Sequence, residues 1–253
     1  MGSFASYNEF LNEIHNSKLL EGKISTRGWS EKDHADFNEL KLKNLIATCE
    51  LCDKYNIPYF LDAGTLLGLY RDKKIISGDS DNDISIMAKD ITPEFLEAIK
   101  EYCISPEAKF HFFQPGTLPN FNKKEDYLRP LSLKYHTLDG EGKRLKFKDK
   151  MIWTDLFILY PHEDYHLFML GRKYFRIPNK FLKNKKTLTH KGIKFKIPAM
   201  VEEYLEHVFG KGWVSPDPNY TSGKENKGFY VVLSKDHGTY TYNWAKQKGK
   251  VEK

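Results

Sequence analysis

The sequence predicts an α+β or mixed α/β domain, and three observations carry that expectation. Apolar residues recur every three to four positions from Asp33 to about Tyr55, the period of a helix with one buried stripe. Short apolar runs, such as Tyr59-Phe60-Leu61 and Ile84-Ser85-Ile86-Met87, are too brief for helices and read as buried strands. Helical spacing then returns near residues 199–209. With 253 residues, 40% apolar and 29% charged, the chain has the balance and length to bury a sizeable core.

Taken in order, residues 6–20 read as a short amphipathic helix, followed by a polar connector with Gly22 and Gly28. The next helix is expected to begin at Asp33 as N-cap and to bury Phe37, Leu40, Asn44, Leu45, Thr48, Cys49 and Cys52. Asn56-Ile57-Pro58 ends it, and the strand at 59–61 follows. Asp62-Ala63-Gly64-Thr65 makes a turn, and a short helix starts at Leu66. The acidic run 79–83 leads into the strand at 84–87. Thr92-Pro93 opens a helix over 93–103, proline being tolerated at a first helical position. Strands are expected at 109–113, 131–136, 151–159 and roughly 165–170, and the helix at 199–209 stops at Gly210. Beyond Trp213 the chain reads mostly as loop. The resulting division is a helical extension over 1–32, a main domain over 33–220 and a basic C-terminal segment over 221–253.

Forty Lys and Arg against thirty-four Asp and Glu give a net charge of +6. Residues 140–150 hold five basic and two acidic side chains, and residues 221–253 hold seven Lys against three acids. Such runs read as solvated surface, or as contacts for an anionic substrate or for the lipid of a peripheral membrane surface. No nucleic-acid-binding motif accompanies them, so no nucleic-acid partner is expected. Three cysteines suit a reducing compartment, and no segment has the apolar length of a signal peptide core or a membrane span. The expectation is a cytoplasmic protein, with membrane association through the basic segments as the second reading.

The acidic run Asp79-Ser80-Asp81-Asn82-Asp83 carries the chemistry. Residues two apart on a strand share a face, so Asp81 and Asp83 project together, with Asp79 beside them. Carboxylates brought together repel unless a cation sits between them, and oxygen-only ligands select a hard ion, Mg²⁺ or Mn²⁺. Such an ion can bridge phosphates and neutralise charge as a P–O bond breaks. In the Gly64-Thr65 turn, glycine admits a phosphate close to backbone N–H groups and the hydroxyl adds a donor. Asp155, set in the apolar run Ile152–Ile158, is costly to bury unless paired or holding a metal, and supplies a further carboxylate. Two plainer readings compete: a turn of solvated carboxylates, and the start of a calcium loop. The calcium loop requires glycine at its sixth position, where Ile84 stands, and flanking helices rather than a strand.

Other signals are weaker. His162-Glu163-Asp164-Tyr165-His166 matches the zinc-protease HExxH spacing, but that spacing works only on a helix, and strand-like runs on both sides make it a turn. Cys49 and Cys52 fall on the buried stripe and read as core. Lys134 and His136 alternate on an expected strand and could reach phosphate, as could Lys194 and Arg129. Tyr and Trp residues around 213–230 could stack on a flat ring.

The run from Ile57 to Arg71 (IPYFLDAGTLLGLYR), followed by Ile75 to Ile84 (IISGDSDNDI), resembles the LicD/fukutin family, whose signature is an LDAGTLLGxxR turn followed by a DxDxDI run. Trp153-Thr154-Asp155-Leu156-Phe157 resembles that family's VDIF strand, and Gly192 to Pro216 its C-terminal segment. The likeness runs in order over about residues 35–218, with Ser77-Gly78 where the family usually has Pro-Trp. The resemblance implies a nucleotidyltransferase-like mixed sheet flanked by helices. It also implies transfer of a phospho-substituted group, such as phosphocholine or an alditol phosphate, from a CDP-linked donor to a glycan or glycolipid. By position, Asp79, Asp81, Asp83 and Asp155 become metal ligands, with Asp155 alternatively a base. Gly64 and Thr65 become contacts for donor phosphate, and Arg71 a phosphate or structural partner. The alternative is a true nucleotidyltransferase, moving NMP from an NTP to a sugar or other small acceptor.

Overall fold

In the computed structural model of the chain, residues 28–99, 131–133, 146–147, 150–170, 173–217 and 230–232 are described. The expected helix at 6–20, the strand at 109–113 and residues Cys103, Arg129, Lys134 and His136 lie outside them.

Helix α1 spans Glu31–Lys54. Its N-cap is Ser30 rather than Asp33. The Ser30 hydroxyl accepts the Asp33 N–H at 3.1 Å and the Asp33 carboxylate accepts the Ser30 N–H at 3.0 Å, a reciprocal capping box. Asp33 is thus the third helical residue, where its charge suits the positive end of the helix. The buried stripe runs Phe37, Lys41, Leu42, Asn44, Leu45, Thr48, Cys49 and Cys52. It contains the expected residues except Leu40, which is half-buried, and it adds a lysine.

Strand β1 (Tyr59–Leu61) leads through Asp62 into α2 (Ala63–Leu67), which widens into a π turn over Gly68–Asp72. Strand β2 (Asn82–Met87) begins inside the acidic run, and α3 (Pro93–Ile99) follows it. Beyond these come β3 (Leu131–Leu133), β4 (Lys146–Phe147), β5 (Lys150–Met151), β6 (Thr154–His162), β7 (Tyr165–Leu170) and β8 (Lys173–Pro178). The hairpin β9 (Lys185–His190) and β10 (Ile193–Pro198) precedes α4 (Val201–Phe209). Gly210, at φ +84°, ends that helix as expected. Tyr230–Val232, in the segment expected to be a basic tail, forms β11 and pairs with β8.

The main sheet is mixed and seven-stranded, ordered β1-β2-β6-β7-β8-β11, with β3 on the free edge at the start of β6. The α+β expectation holds. Among the described residues of this sheet, the β2–β6 pair is parallel and every other pairing is antiparallel. The HExxH-like run is the β6–β7 hairpin turn, with Glu163 at φ +48°, so its histidines do not share a helix face. Burial concentrates between this sheet, α1 and α4, where Leu45, Phe60, Leu66, Ile84, Ile86, Leu156, Tyr204 and Leu205 belong to one core cluster. Cys49 and Cys52 lie in that core as free thiols, and burial pushes Cys52 up to about 12, so neither is a ready nucleophile. Among the described residues no helix is long and apolar enough to cross a membrane.

Candidate active site

The site forms where the parallel pair begins. Parallel register sets Asp83 beside Asp155, so the two carboxyls leave adjacent strands on one face. Asn82 faces the other way: its Nδ2 donates to the Lys41 carbonyl at 2.9 Å and to Thr154 Oγ1 at 3.3 Å. Strand alternation therefore separates the working carboxylates from a buried polar seam that ties β2 and β6 to α1. Thr154 Oγ1 continues that seam to Asn44 Oδ1 at 3.2 Å.

Asp79, Asp81 and Asp83 each offer a carboxylate oxygen, and the three oxygens lie within 4.8 Å of one another. Asp155 stands next to this group and acts on it through charge. Burial, then repulsion from Asp155 and Asp79, pushes Asp81 up to about 7. Burial, then Asp81, Asp79 and Asp155, pushes Asp83 well above the usual carboxylate range. Hard oxygen donors that oppose one another this strongly fit a hard divalent cation, and Asp79, Asp81 and Asp83 are the residues that could hold it.

The Asp62–Gly64 turn forms the opposite wall. An added Cβ on Gly64 would stand 2.6 Å from Asp79 Oδ2 and 3.9 Å from Asp83 Oδ2, so the glycine is what lets the turn approach the carboxylates. Ala63 takes φ +41°, a conformation that L residues adopt at a cost of about 1–2 kcal/mol. Thr65 is buried, and its Oγ1 accepts the Asp83 N–H at 2.8 Å, which leaves only its own proton to donate. The turn therefore also supports the ligand strand directly.

Two residues that sequence reasoning missed organise this wall. Asp62 is buried and accepts three hydrogen bonds, from the Ala63 N–H at 2.6 Å and from the Ser85 and Tyr204 hydroxyls at 2.5 Å each. Burial raises its pKa and those bonds oppose the rise. Its own N–H donates to the Asp83 carbonyl at 3.1 Å. The other is Lys41, fully buried on α1, whose Nζ donates to the Asp79 carbonyl at 3.1 Å and lies 3.8 Å from Asp79 Oδ2. Asp62 sits within the run that carries the family likeness, which was a signal for it. Lys41 had none beyond its place on the apolar stripe.

The other expected site residues are Arg71, Lys194 and Lys134. Arg71 is engaged with Asp72 through Nε at 2.7 Å and Nη2 at 2.8 Å, and its Nη1 donates to the Trp213 carbonyl at 2.9 Å. Lys194 is exposed on β10, in the two-stranded sheet. Lys134 falls outside the described residues, although neighbouring Ser132 on β3 is the register partner of Asp155.

The family model for the LicD/FKTN/FKRP nucleotidyltransferase domain matches residues 56–200, more than half of the chain. Among curated proteins, the ribitol-5-phosphate transferase FKTN of Mus musculus is 25% identical over 224 residues, and that of Homo sapiens 25% over 227. Each match covers 82% of this chain and 42% of the relative, so the chain spans less than half the length of these relatives.

Proposed function

The chain belongs to the LicD/FKTN/FKRP nucleotidyltransferase-domain family, and we propose that it transfers a phospho-substituted group from a CDP-linked donor to a glycan or glycolipid hydroxyl, with CMP leaving. The observation that carries this reading is the cluster of Asp79, Asp81 and Asp83 facing the Gly64 turn, with Asp155 alongside. The similarity to ribitol-5-phosphate transferases supports an alditol phosphate as the group moved.

Asp79, Asp81 and Asp83 are the residues that would hold a Mg²⁺ or Mn²⁺ ion, and such an ion would supply neutralisation of the phosphate charge. Gly64 brings the backbone of its turn against the Asp79 carboxylate, where donor phosphate would meet both the turn and the acidic cluster. Asp155 accepts the proton of the acceptor hydroxyl as its oxygen bonds to the distal phosphorus, and the bond from that phosphorus to the CMP oxygen breaks. Asp62 and Thr65 keep β2 in position, so the carboxylates meet the donor without rearranging. Lys134 and Lys194 are further candidates for donor or acceptor phosphate, and the basic segments 140–150 and 221–253 for a peripheral membrane surface.

The test is a donor panel of CDP-ribitol, CDP-glycerol, CDP-choline and NTPs with Mg²⁺, scored for CMP against pyrophosphate. CMP release supports the phosphotransferase, and pyrophosphate release would replace it with NMP transfer. Asp83→Asn is expected to lower turnover at least about a hundredfold while the protein stays folded. Undiminished turnover in that variant would remove these carboxylates from the mechanism.

A further inference from the structure

Lys41 carries a charge where the fold offers it no water, an expensive placement unless the charge is used. Its neighbours on the buried stripe of α1 are mostly apolar, and a methionine would fill the same volume. The lysine grips the acidic run at two points instead. The side chain reaches Asp79 at the start of the run, through a 3.1 Å hydrogen bond to the carbonyl and a 3.8 Å approach to Oδ2. The backbone carbonyl holds Asn82, between the other two carboxylates, at 2.9 Å. The ammonium's charge also reaches Asp81, opposing the repulsion from Asp155 and Asp79.

We propose that Lys41 is a positioning residue that serves as the resident cation of the site, holding the acidic run folded in the absence of a divalent ion. This rests on the reading of Asp79, Asp81 and Asp83 as the ion's ligands. Lys41 is too deeply buried to touch a substrate phosphate, so it acts through Asp79 and Asp81. A resident cation also implies energetic coupling. With the ammonium present, a divalent ion relieves only part of the repulsion. Without it, the same ion relieves more and stabilises the protein by a larger margin.

Lys41→Met tests this in the full chain, because it keeps volume and removes charge. Thermal unfolding is measured with and without saturating Mn²⁺, and Mn²⁺ binding is followed by calorimetry. The expected result is a lower Tm for metal-free Lys41→Met, with a Mn²⁺-induced rise about twice that of wild type. Leu45→Ala, a core control, should lose the same amount with and without the ion. A Lys41→Met loss independent of Mn²⁺ would reduce Lys41 to packing and overturn the proposal. If Lys41→Met does not fold, the charge-balanced double variant Lys41→Met/Asp79→Asn should, and its failure also overturns the proposal. Wild type that binds no Mn²⁺ would instead remove the metal reading, which separates the two failures.

Discussion

Gly64 and Asp83 show how closely single residues set this site. Replacing Gly64 by alanine would drive a methyl group into the Asp79 carboxylate, 2.6 Å from its oxygen. Alanine is the better helix former by about 1 kcal/mol, so little net loss of stability is expected. The prediction is weaker Mn²⁺ binding, about tenfold or more by calorimetry, with Tm changed by only a few degrees. A parallel collapse of Tm and binding would make Gly64 a folding residue instead. Asp83→Asn should separate the properties in the other direction. It removes a buried charge repelled by Asp81, Asp79 and Asp155, so the metal-free variant should be more stable than wild type, by about 0.5–2 kcal/mol in denaturant unfolding. A destabilised variant would show that repulsion at Asp83 does not limit metal-free stability. Neither effect is visible in residue types alone, because both depend on which groups the fold brings within a few ångströms.

At the scale of elements, α1 does more than cover the sheet. Its apolar period was legible because burying one face of a helix forces a 3.6-residue recurrence. Its start was misplaced by three residues, because Ser30 and Asp33 are both good caps and only the reciprocal bonds distinguish cap from third residue. Ser30→Ala should lower stability by about 1 kcal/mol, or roughly 2–4 °C in Tm for a chain of this size. An unchanged Tm would mean that the first turn of α1 frays without cost. Strand β1, β2 and β7 were read closely, whereas β8, β9 and β10 were not assigned from the sequence. In the hairpin, β9 holds one apolar residue, Leu188, among lysines and threonines and carries little apolar signal. By contrast, β10 alternates Ile193, Phe195 and Ile197 with Lys194 and Lys196, a period-two strand signal that was present in the sequence. The β6–β7 turn shows the opposite: flanking strand signals overrode the HExxH spacing, and the fold agrees.

For the whole molecule, function and stability meet in one charge cluster. Asp81 and Asp83 have pKa values raised in the fold, Asp81 to about 7, so the native state holds protons that an unfolded carboxylate has released. Their contribution to metal-free stability is full at low pH and is lost as pH rises through those folded-state values. A divalent ion reverses this, because it needs the ionised carboxylates. Mn²⁺ should therefore raise Tm more at about pH 8 than at about pH 5.5, and Asp83→Asn should abolish most of that difference. An equal Mn²⁺ shift at both pH values would exclude the cluster as the binding site.

The sequence alone determined the α1 period, the strands around the acidic run, the carboxylates two residues apart and the family. These follow from local periodicity and from contiguous motifs, which neighbouring residues carry without reference to the rest of the chain. Tertiary structure decided that Asp83 lies beside Asp155 across a parallel pair, that Thr65 and Asp62 support β2, and that Arg71 is tied to Asp72 and Trp213. It also decided that a lysine from α1 enters the site. These are contacts between residues far apart in sequence, set by how the sheet and helices pack, and no local pattern encodes them.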